Sequence, residues 1–122
     1  GRRIIDQAWV QLTLARVHAK LEALRLMNQQ SAWEATRGVL DIGHCSAIKV
    51  YGTDYYLEAF RLLMEVYGPA AYVAAGSPGA IGHARIQTLF QALTILTFGG
   101  GTNEMQRDLI TMFSLGFPRA AR

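Results

Sequence analysis

The stretch FGGGTNEMQRDLI, residues 98–110, decides how the end of this chain folds. Its three consecutive glycines, residues 99–101, permit backbone conformations with positive φ that residues with side chains resist. Thr102 and Asn103 follow, and both residue types are favourable helix N-caps, while Glu104 adds the negative charge favoured near a helix amino end. We therefore predict a tight glycine turn that leads into a short helix and presents backbone N–H groups at its start.

The residues after the glycines indicate how the helix starts and argue against one kind of ligand site. Asn103 and Gln106 have the spacing of a capping box, so we expect them to close the start of the helix. No GxxxxGK[ST] pattern is present and no lysine follows the glycines, which argues against a nucleoside-triphosphate loop. From local physics alone, a plain helix–loop–helix corner is favoured over a ligand-binding turn.

The composition limits the classes of protein to which this chain can belong. A chain of 122 residues with 51% apolar and 17% charged residues fits one folded domain rather than a disordered segment. The net charge of +3 is modest, no basic run occurs beyond Arg2 and Arg3, and no apolar run reaches the length of a membrane helix. We expect neither a nucleic-acid nor a membrane partner. The single cysteine, Cys45, suits a reducing compartment, so we expect a cytoplasmic protein.

Apolar periodicity predicts four helices. Asp6 is expected to cap the first helix and Ser46 the second, and Gly68-Pro69 has the residue order that ends a helix. The first helix is predicted from about 7 to the 28–33 region or on to 36. The other predicted ranges are about 46–67, 81–97 and 103–114, with a Gly- and Ala-rich link at 68–82. Because no strand pattern of similar quality occurs, we predict an all-α fold, an antiparallel up-down four-helix bundle.

Histidine and cysteine give little support for a metal or nucleophile site. His18, His44 and His83 are far apart and lack the spacing of a metal-binding motif, so we expect no metal. His44 and Cys45 are adjacent in sequence, but a nucleophile and its base must meet in space with a third orienting group. We expect Cys45 to be a small buried apolar residue.

The string GGGTNEMQRDLI, continued by LGFPR at 115–119, resembles the C-terminal signature of the acyl-CoA dehydrogenase family. The resemblance covers most of the chain and implies that residues 1–122 are the last helical domain of a longer protein. It also implies the same four-helix bundle that the periodicity predicts. The family removes hydrogen from the α and β carbons of an acyl-CoA thioester and uses FAD, so acyl-CoA and FAD are the expected substrate and cofactor.

The resemblance also assigns residues to the flavin site. Thr102 and Glu104 match positions that contact FAD, and Gly100 and Gly101 match positions that line the cleft between flavin and acyl chain. Many members carry their catalytic glutamate directly before the Gly-Thr pair, where this chain has Gly100. Glycine cannot accept a proton, so we expect no catalytic residue here. Either the base lies outside this chain, which we favour, or the parent protein is a non-catalytic partner subunit.

Oligomerisation is the remaining expectation from the resemblance. Domains of this kind pair into homo-oligomers, dimers or tetramers, or assemble with a related acyl-CoA dehydrogenase subunit, and the isolated piece is expected to be inactive. Gln106, Arg107 and Asp108 are expected to hold the corner together or to face a neighbouring subunit. Arg85 and Gln87 are weaker candidates for a contact to the cofactor phosphates or to another subunit. An alternative from another class is a helical interaction module that binds no flavin.

Overall fold

A computed structural model describes Gly1 and residues 3–119, and of Ile81 and His83 it describes the backbone only. Within that part of the chain the regular structure is entirely helical. Four α-helices are present, and short 3₁₀ segments precede or connect them. The α-helices are α1 (Ala8–Thr36), α2 (Ile42–Tyr67), α3 (Arg85–Leu93) and α4 (Asn103–Phe113), and the 3₁₀ segments are Ile4–Asp6, Gly68–Tyr72, Ile81–Ala84 and Thr94–Thr97.

The chain divides into two compact units. The first comprises Gly1–Leu21 and Tyr55–Ile95, and the second comprises Glu22–Asp54 and Leu96–Arg122. The glycine turn and α4 belong to the second unit. The first unit buries most of the core side chains, which are Val10, Tyr55, Ala59, Met64, Ala71 and Ala84, while Leu24 is the large apolar residue buried in the second.

The first helix has the predicted length. It begins at Ala8 and continues to Thr36, the far limit of the predicted range. The chain then turns at Gly38, whose φ of +74° is a conformation that favours glycine. The Arg37 and Gly38 amides donate to carbonyls of the last helical turn, so the end of α1 is closed by backbone hydrogen bonds.

The second helix begins earlier than predicted. The Asp41 side chain accepts a hydrogen bond from the His44 amide at 2.9 Å, and α2 starts at Ile42. The prediction that Ser46 caps this helix was wrong, because Asp41 satisfies the helix start one turn earlier and Ser46 is buried within the helix. The predicted stop is confirmed: α2 ends at Tyr67, followed by Gly68 at φ +68° and then Pro69.

The predicted third helix is helical over its length but is not one α-helix. A 3₁₀ turn at Ile81–Ala84, the α-helix Arg85–Leu93 and a second 3₁₀ turn at Thr94–Thr97 follow one another. Ala84 stands between the first two in the left-handed region, at φ +56°, with its side chain buried. Gly82, two residues earlier in the 3₁₀ turn, is also left-handed, at φ +56°.

None of the helices in the described residues combines the length and apolar character that crossing a bilayer requires.

Candidate functional site

The glycine turn and the start of α4 have the predicted backbone. Gly100 and Gly101 have φ values of +73° and +94°, in the region that side-chained residues rarely adopt. Thr102 is extended, and its hydroxyl oxygen accepts a hydrogen bond from the Met105 amide at 3.2 Å. Thr102 is therefore the N-cap of α4, which starts at Asn103.

Gln106 holds the turn in a way that the sequence did not predict. Its Nε2 atom donates to the Gly100 carbonyl oxygen at 2.8 Å. A Cβ atom added to Gly101 would lie 3.0 Å from the same nitrogen, so Gln106 packs directly against the turn. The predicted capping box of Asn103 and Gln106 was wrong, because the cap is one residue earlier. The expectation that Gln106 holds the corner together is confirmed by this hydrogen bond.

The outer surface of the corner is open. Gly99, Gly100 and Gly101 are exposed, and a Cβ atom placed on Gly100 would meet no atom within 4 Å. Phe98 and Met105 flank the turn and are 59% and 41% exposed. A flat, partly apolar group could therefore approach the backbone at Gly100 without a steric clash.

Glu104 lies in the first turn of α4 with an exposed side chain. A hydrogen bond to its own backbone N–H, and next one from the Thr102 hydroxyl, hold the pKa of Glu104 below its ordinary value, and the charges of Arg107 and Lys49 act in the same direction. The carboxylate is thus ionised at neutral pH and can only accept hydrogen bonds. A carboxylate with a lowered pKa is a weaker general base than one with an ordinary pKa.

A polar network links the corner to α2, and sequence reasoning missed its central residue. Lys49 donates to the Gly101 carbonyl and to the Asn103 Oδ1 atom, each at 2.7 Å. Asn103 in turn donates to Asp54 at 2.9 Å, and Arg107 reaches the other Asp54 oxygen at 3.3 Å. The sequence indicated only that Lys49 lies on the polar side of its helix, and a contact 52 residues away leaves no local signal.

The remaining residues singled out for a ligand lie elsewhere. Arg85 is exposed and Gln87 is half-buried in the first turn of α3, in the first unit, and their role stays a prediction. Asp108 is exposed one turn after Glu104 and accepts, through its backbone carbonyl, a hydrogen bond from the Thr111 hydroxyl at 2.8 Å.

His44 and Cys45 have separate partners, so their adjacency creates no catalytic pair. His44 Nδ1 is 3.1 Å from a Glu34 carboxylate oxygen, and the Cys45 sulfur is 3.7 Å from the Ser31 hydroxyl. Cys45 is half-buried rather than fully buried. His18 is exposed, and the side chain of His83 is outside the described atoms. Among the described side chains, no three His, Cys, Asp or Glu residues gather into a possible metal site.

Comparison with known proteins identifies the family. A family model described as the acyl-CoA dehydrogenase C-terminal domain matches residues 1–115. The chain is 53% identical to acyl-CoA dehydrogenase FadE26 of Mycobacterium tuberculosis (strain ATCC 25618 / H37Rv), in a match that covers 100% of this chain and 31% of the relative.

Two solved complexes have similar chains. The ChsE4–ChsE5 complex from Mycobacterium tuberculosis contains a chain with a TM-score of 0.89 and 52% identity, over 99% of this chain and 31% of that one. The Tcur3481–Tcur3483 steroid ACAD contains one with a TM-score of 0.90 and 37% identity, over 96% of this chain and 30% of that one.

These similarities confirm the predicted all-α fold class and agree with an antiparallel up-down four-helix bundle. The chain spans 31% of the length of FadE26, so the similarity concerns one domain of that relative. The match over residues 1–115 includes the glycine corner and the whole of α4. We conclude that this chain belongs to the acyl-CoA dehydrogenase family, in which it matches the C-terminal domain.

Proposed function

We propose that residues 1–122 are the C-terminal helical domain of an FAD-dependent acyl-CoA dehydrogenase, which removes hydrogen from the α and β carbons of an acyl-CoA thioester. The observation that carries the proposal is the exposed glycine corner, with left-handed Gly100 and Gly101 next to an N-capped helix whose first turn holds an exposed carboxylate. In this account the domain forms part of the flavin site and contributes to the oligomer interface. That dehydrogenase, of which this chain is one domain, is the parent protein.

The residues of the corner fit contacts to a flavin nucleotide. The open space at Gly100 and the exposed apolar side chains of Phe98 and Met105 suit a planar ring. The ionised Glu104 carboxylate can accept hydrogen bonds from hydroxyl or N–H groups of the cofactor, and Thr102 holds that carboxylate in place through its hydroxyl. When bound, FAD supplies the chemistry of hydride acceptance from the β carbon.

The catalytic base of the proposed reaction comes from outside this chain. Proton removal from the α carbon needs a carboxylate within hydrogen-bonding distance, and the family position that often carries it is Gly100 here. Glu104 is unsuited, because its lowered pKa weakens it as a base and its side chain is engaged with Thr102. The corner therefore contributes walls and hydrogen bonds rather than proton transfer.

We further propose that the parent protein assembles with copies of itself or with a related acyl-CoA dehydrogenase subunit in the cytoplasm. Support for a related subunit comes from the ChsE4–ChsE5 and Tcur3481–Tcur3483 structures, each of which pairs two named components. Because the second is a steroid ACAD, a steroid-derived acyl-CoA is the substrate class to be tested first.

Gly100 also suggests a second candidate function, that of a non-catalytic partner subunit. If the parent protein were a non-catalytic partner subunit, a glycine at the glutamate position would carry no penalty, since the partner would supply the base. The two accounts differ in one measurement. Addition of acyl-CoA to the assembled parent should bleach the flavin absorbance. If the parent is a non-catalytic subunit, replacing acidic residues of the partner subunit should abolish the bleaching, whereas it should persist if the parent carries its own base.

The experiment that tests the flavin assignment uses the parent protein co-expressed with its partner. The double variant Thr102→Ser/Glu104→Ala removes the proposed carboxylate contact while retaining a hydroxyl N-cap. Its matched control is Thr111→Ser/Asp108→Ala, which makes the same chemical changes further along the same helix. We expect a lower flavin-to-protein absorbance ratio in the first variant than in the control. Equal flavin content in both would refute the assignment.

A further inference from the structure

Lys49 joins α2 to both sides of the α4 cap. Its Nζ atom donates to the carbonyl of Gly101, just before Thr102, and to the side chain of Asn103, just after it, with both distances 2.7 Å. An ammonium group has three N–H donors and no acceptor, so two of its donors are directed to this corner. Hydrogen bonds from a charged donor are shorter and stronger than neutral ones, and these distances fall in that class.

The second partner of Lys49 is itself held rigidly. Asn103 is only 7% exposed, and its amide lies between a group that can only donate, Lys49, and one that can only accept, Asp54. The side-chain oxygen of Asn103 therefore faces Lys49, and its NH₂ group faces Asp54. Arg107 of α4 donates to the other Asp54 oxygen, so the Asp54 carboxylate of α2 is bound by two side chains of α4.

The glycine turn has a physical need for such a tether. Glycine loses more conformational freedom on ordering than any other residue, and three stand in succession at 99–101. Two neighbouring carbonyls of the turn are held by side chains from different helices. Gln106 of α4 holds the carbonyl of Gly100, and Lys49 of α2 holds that of Gly101. The conformation of the turn therefore depends on Lys49 as well as on α4.

We propose that Lys49 is a positioning residue for the cofactor-facing turn: its two hydrogen bonds, with Asn103 as intermediary, set the turn in the conformation that accepts the flavin. This inference rests on the proposed function and assigns a residue that the family motif does not include. Lys49 acts in this proposal by holding the turn, because two of its three N–H donors are directed to Gly101 and Asn103.

The test uses the apo form of the parent protein, assembled with its partner and titrated with FAD by fluorescence. Lys49→Met removes the ammonium, and we expect FAD to bind about tenfold or more weakly. Hydrogen exchange of the backbone amides at 99–103 should accelerate in the cofactor-free variant. The matched control is Lys20→Met, which removes a lysine paired with Glu58 in the first unit and should change neither readout.

A second variant separates positioning from simple charge attraction. Asn103→Ala removes one partner of Lys49 and leaves the positive charge in place. Positioning predicts weaker FAD binding and faster exchange in the turn. If Lys49 instead attracted the cofactor phosphates, this variant would keep or improve the affinity, and that result would overturn the proposal. Asn103→Ala also serves as the test if Lys49→Met fails to fold.

The outcomes distinguish this inference from the proposed function. A wild-type assembly that binds no FAD refutes the proposed flavin site, whatever the variants do. The positioning role alone is refuted if the wild-type assembly binds FAD and Lys49→Met binds it equally tightly. In that case the backbone amides of the turn should also exchange at the same rate in both proteins. Recovery of affinity in Lys49→Arg, whose guanidinium can donate to both partners, would support it further.

Discussion

Gly43, in the first turn of α2, packs against Ser114 at the carboxyl end of α4 so closely that a Cβ atom on Gly43 would lie 1.8 Å from the Ser114 hydroxyl oxygen. The Ser114 Cβ atom would lie 3.0 Å away. A side chain at position 43 would therefore force the two helix ends apart or displace Ser114. This contact joins the end of the helix that starts at the glycine corner to the start of α2.

We predict that Gly43→Ala destabilises the parent protein. Overpacking costs about 1–3 kcal/mol, which exceeds the gain of about 1 kcal/mol from alanine over glycine in a helix. The matched control is Gly52→Ala in the same helix, where a Cβ atom would meet the Leu24 side chain at an ordinary 3.5 Å. Chemical denaturation should show a lower free energy of unfolding for Gly43→Ala and an equal or higher one for Gly52→Ala.

The Ser114→Gly change provides a rescue for this prediction. In the double variant with Gly43→Ala it removes the clashing hydroxyl and Cβ atoms, so part of the lost stability should return. Equal stabilities of Gly43→Ala and the unmodified protein would contradict the close contact.

We predict that the Thr102 hydroxyl stabilises α4 as its N-cap. Thr102→Val removes the oxygen that accepts from the Met105 amide and should cost about 1 kcal/mol of unfolding free energy. Thr102→Ser keeps that oxygen and should stay near the original stability. Thr111→Val, on the exposed side of the same helix, is the control and should change stability by about 0.5 kcal/mol or less. A Thr102→Val loss no larger than that of the control would contradict the capping role.

The Glu34 carboxylate makes the stability of the protein depend on pH in the acid range. Hydrogen bonds from Gln30 first, and then from His44, hold the pKa of Glu34 below its ordinary value of 4.5. A carboxyl whose pKa is lowered by folding contributes stability that is present above 4.5 and is lost as the pH falls through the folded value. We predict that Glu34→Gln flattens the stability profile below about pH 5.

The measurement for this prediction is the denaturation midpoint at several pH values between about 3 and 7. Glu65→Gln, which removes an exposed carboxylate in the first unit, is the control and should leave the acid-limb slope nearly unchanged. An identical slope in Glu34→Gln and the unmodified protein would contradict the role of the Glu34 carboxylate.

We predict that the isolated 122-residue domain self-associates. Large apolar side chains are exposed, with Leu40 at 72% and both Leu115 and Phe117 at 62%. Contiguous exposed apolar surface marks an interface or an aggregation risk. The isolated domain should bind an apolar fluorescent dye strongly and change its sedimentation with concentration, whereas the assembled parent should bind less dye per domain.

A pair of variants checks which surface is responsible. Leu40→Ser should lower dye binding by the isolated domain, while Ala35→Ser, another exposed position near the end of α1, should not. A domain that remains monomeric and binds no dye would contradict the prediction.

The sequence by itself determined the features that depend on neighbouring residues. Thr102 caps α4 because its hydroxyl needs only an amide three residues away, and Gly68-Pro69 ends α2 for a similarly local reason. The helix periodicity likewise predicted all four α-helices, and the ungapped motif ending at Arg119 indicated the family. The assignment of Thr102, Glu104, Gly100 and Gly101 to a flavin remains a prediction from that motif.

Only the tertiary structure decided how the corner is held. Lys49 reaches the Gly101 carbonyl from a helix about fifty residues earlier in the chain. The physical reason is that a capping bond acts within one turn and leaves a local pattern, whereas a side chain that bridges two helices depends on how their backbones pack.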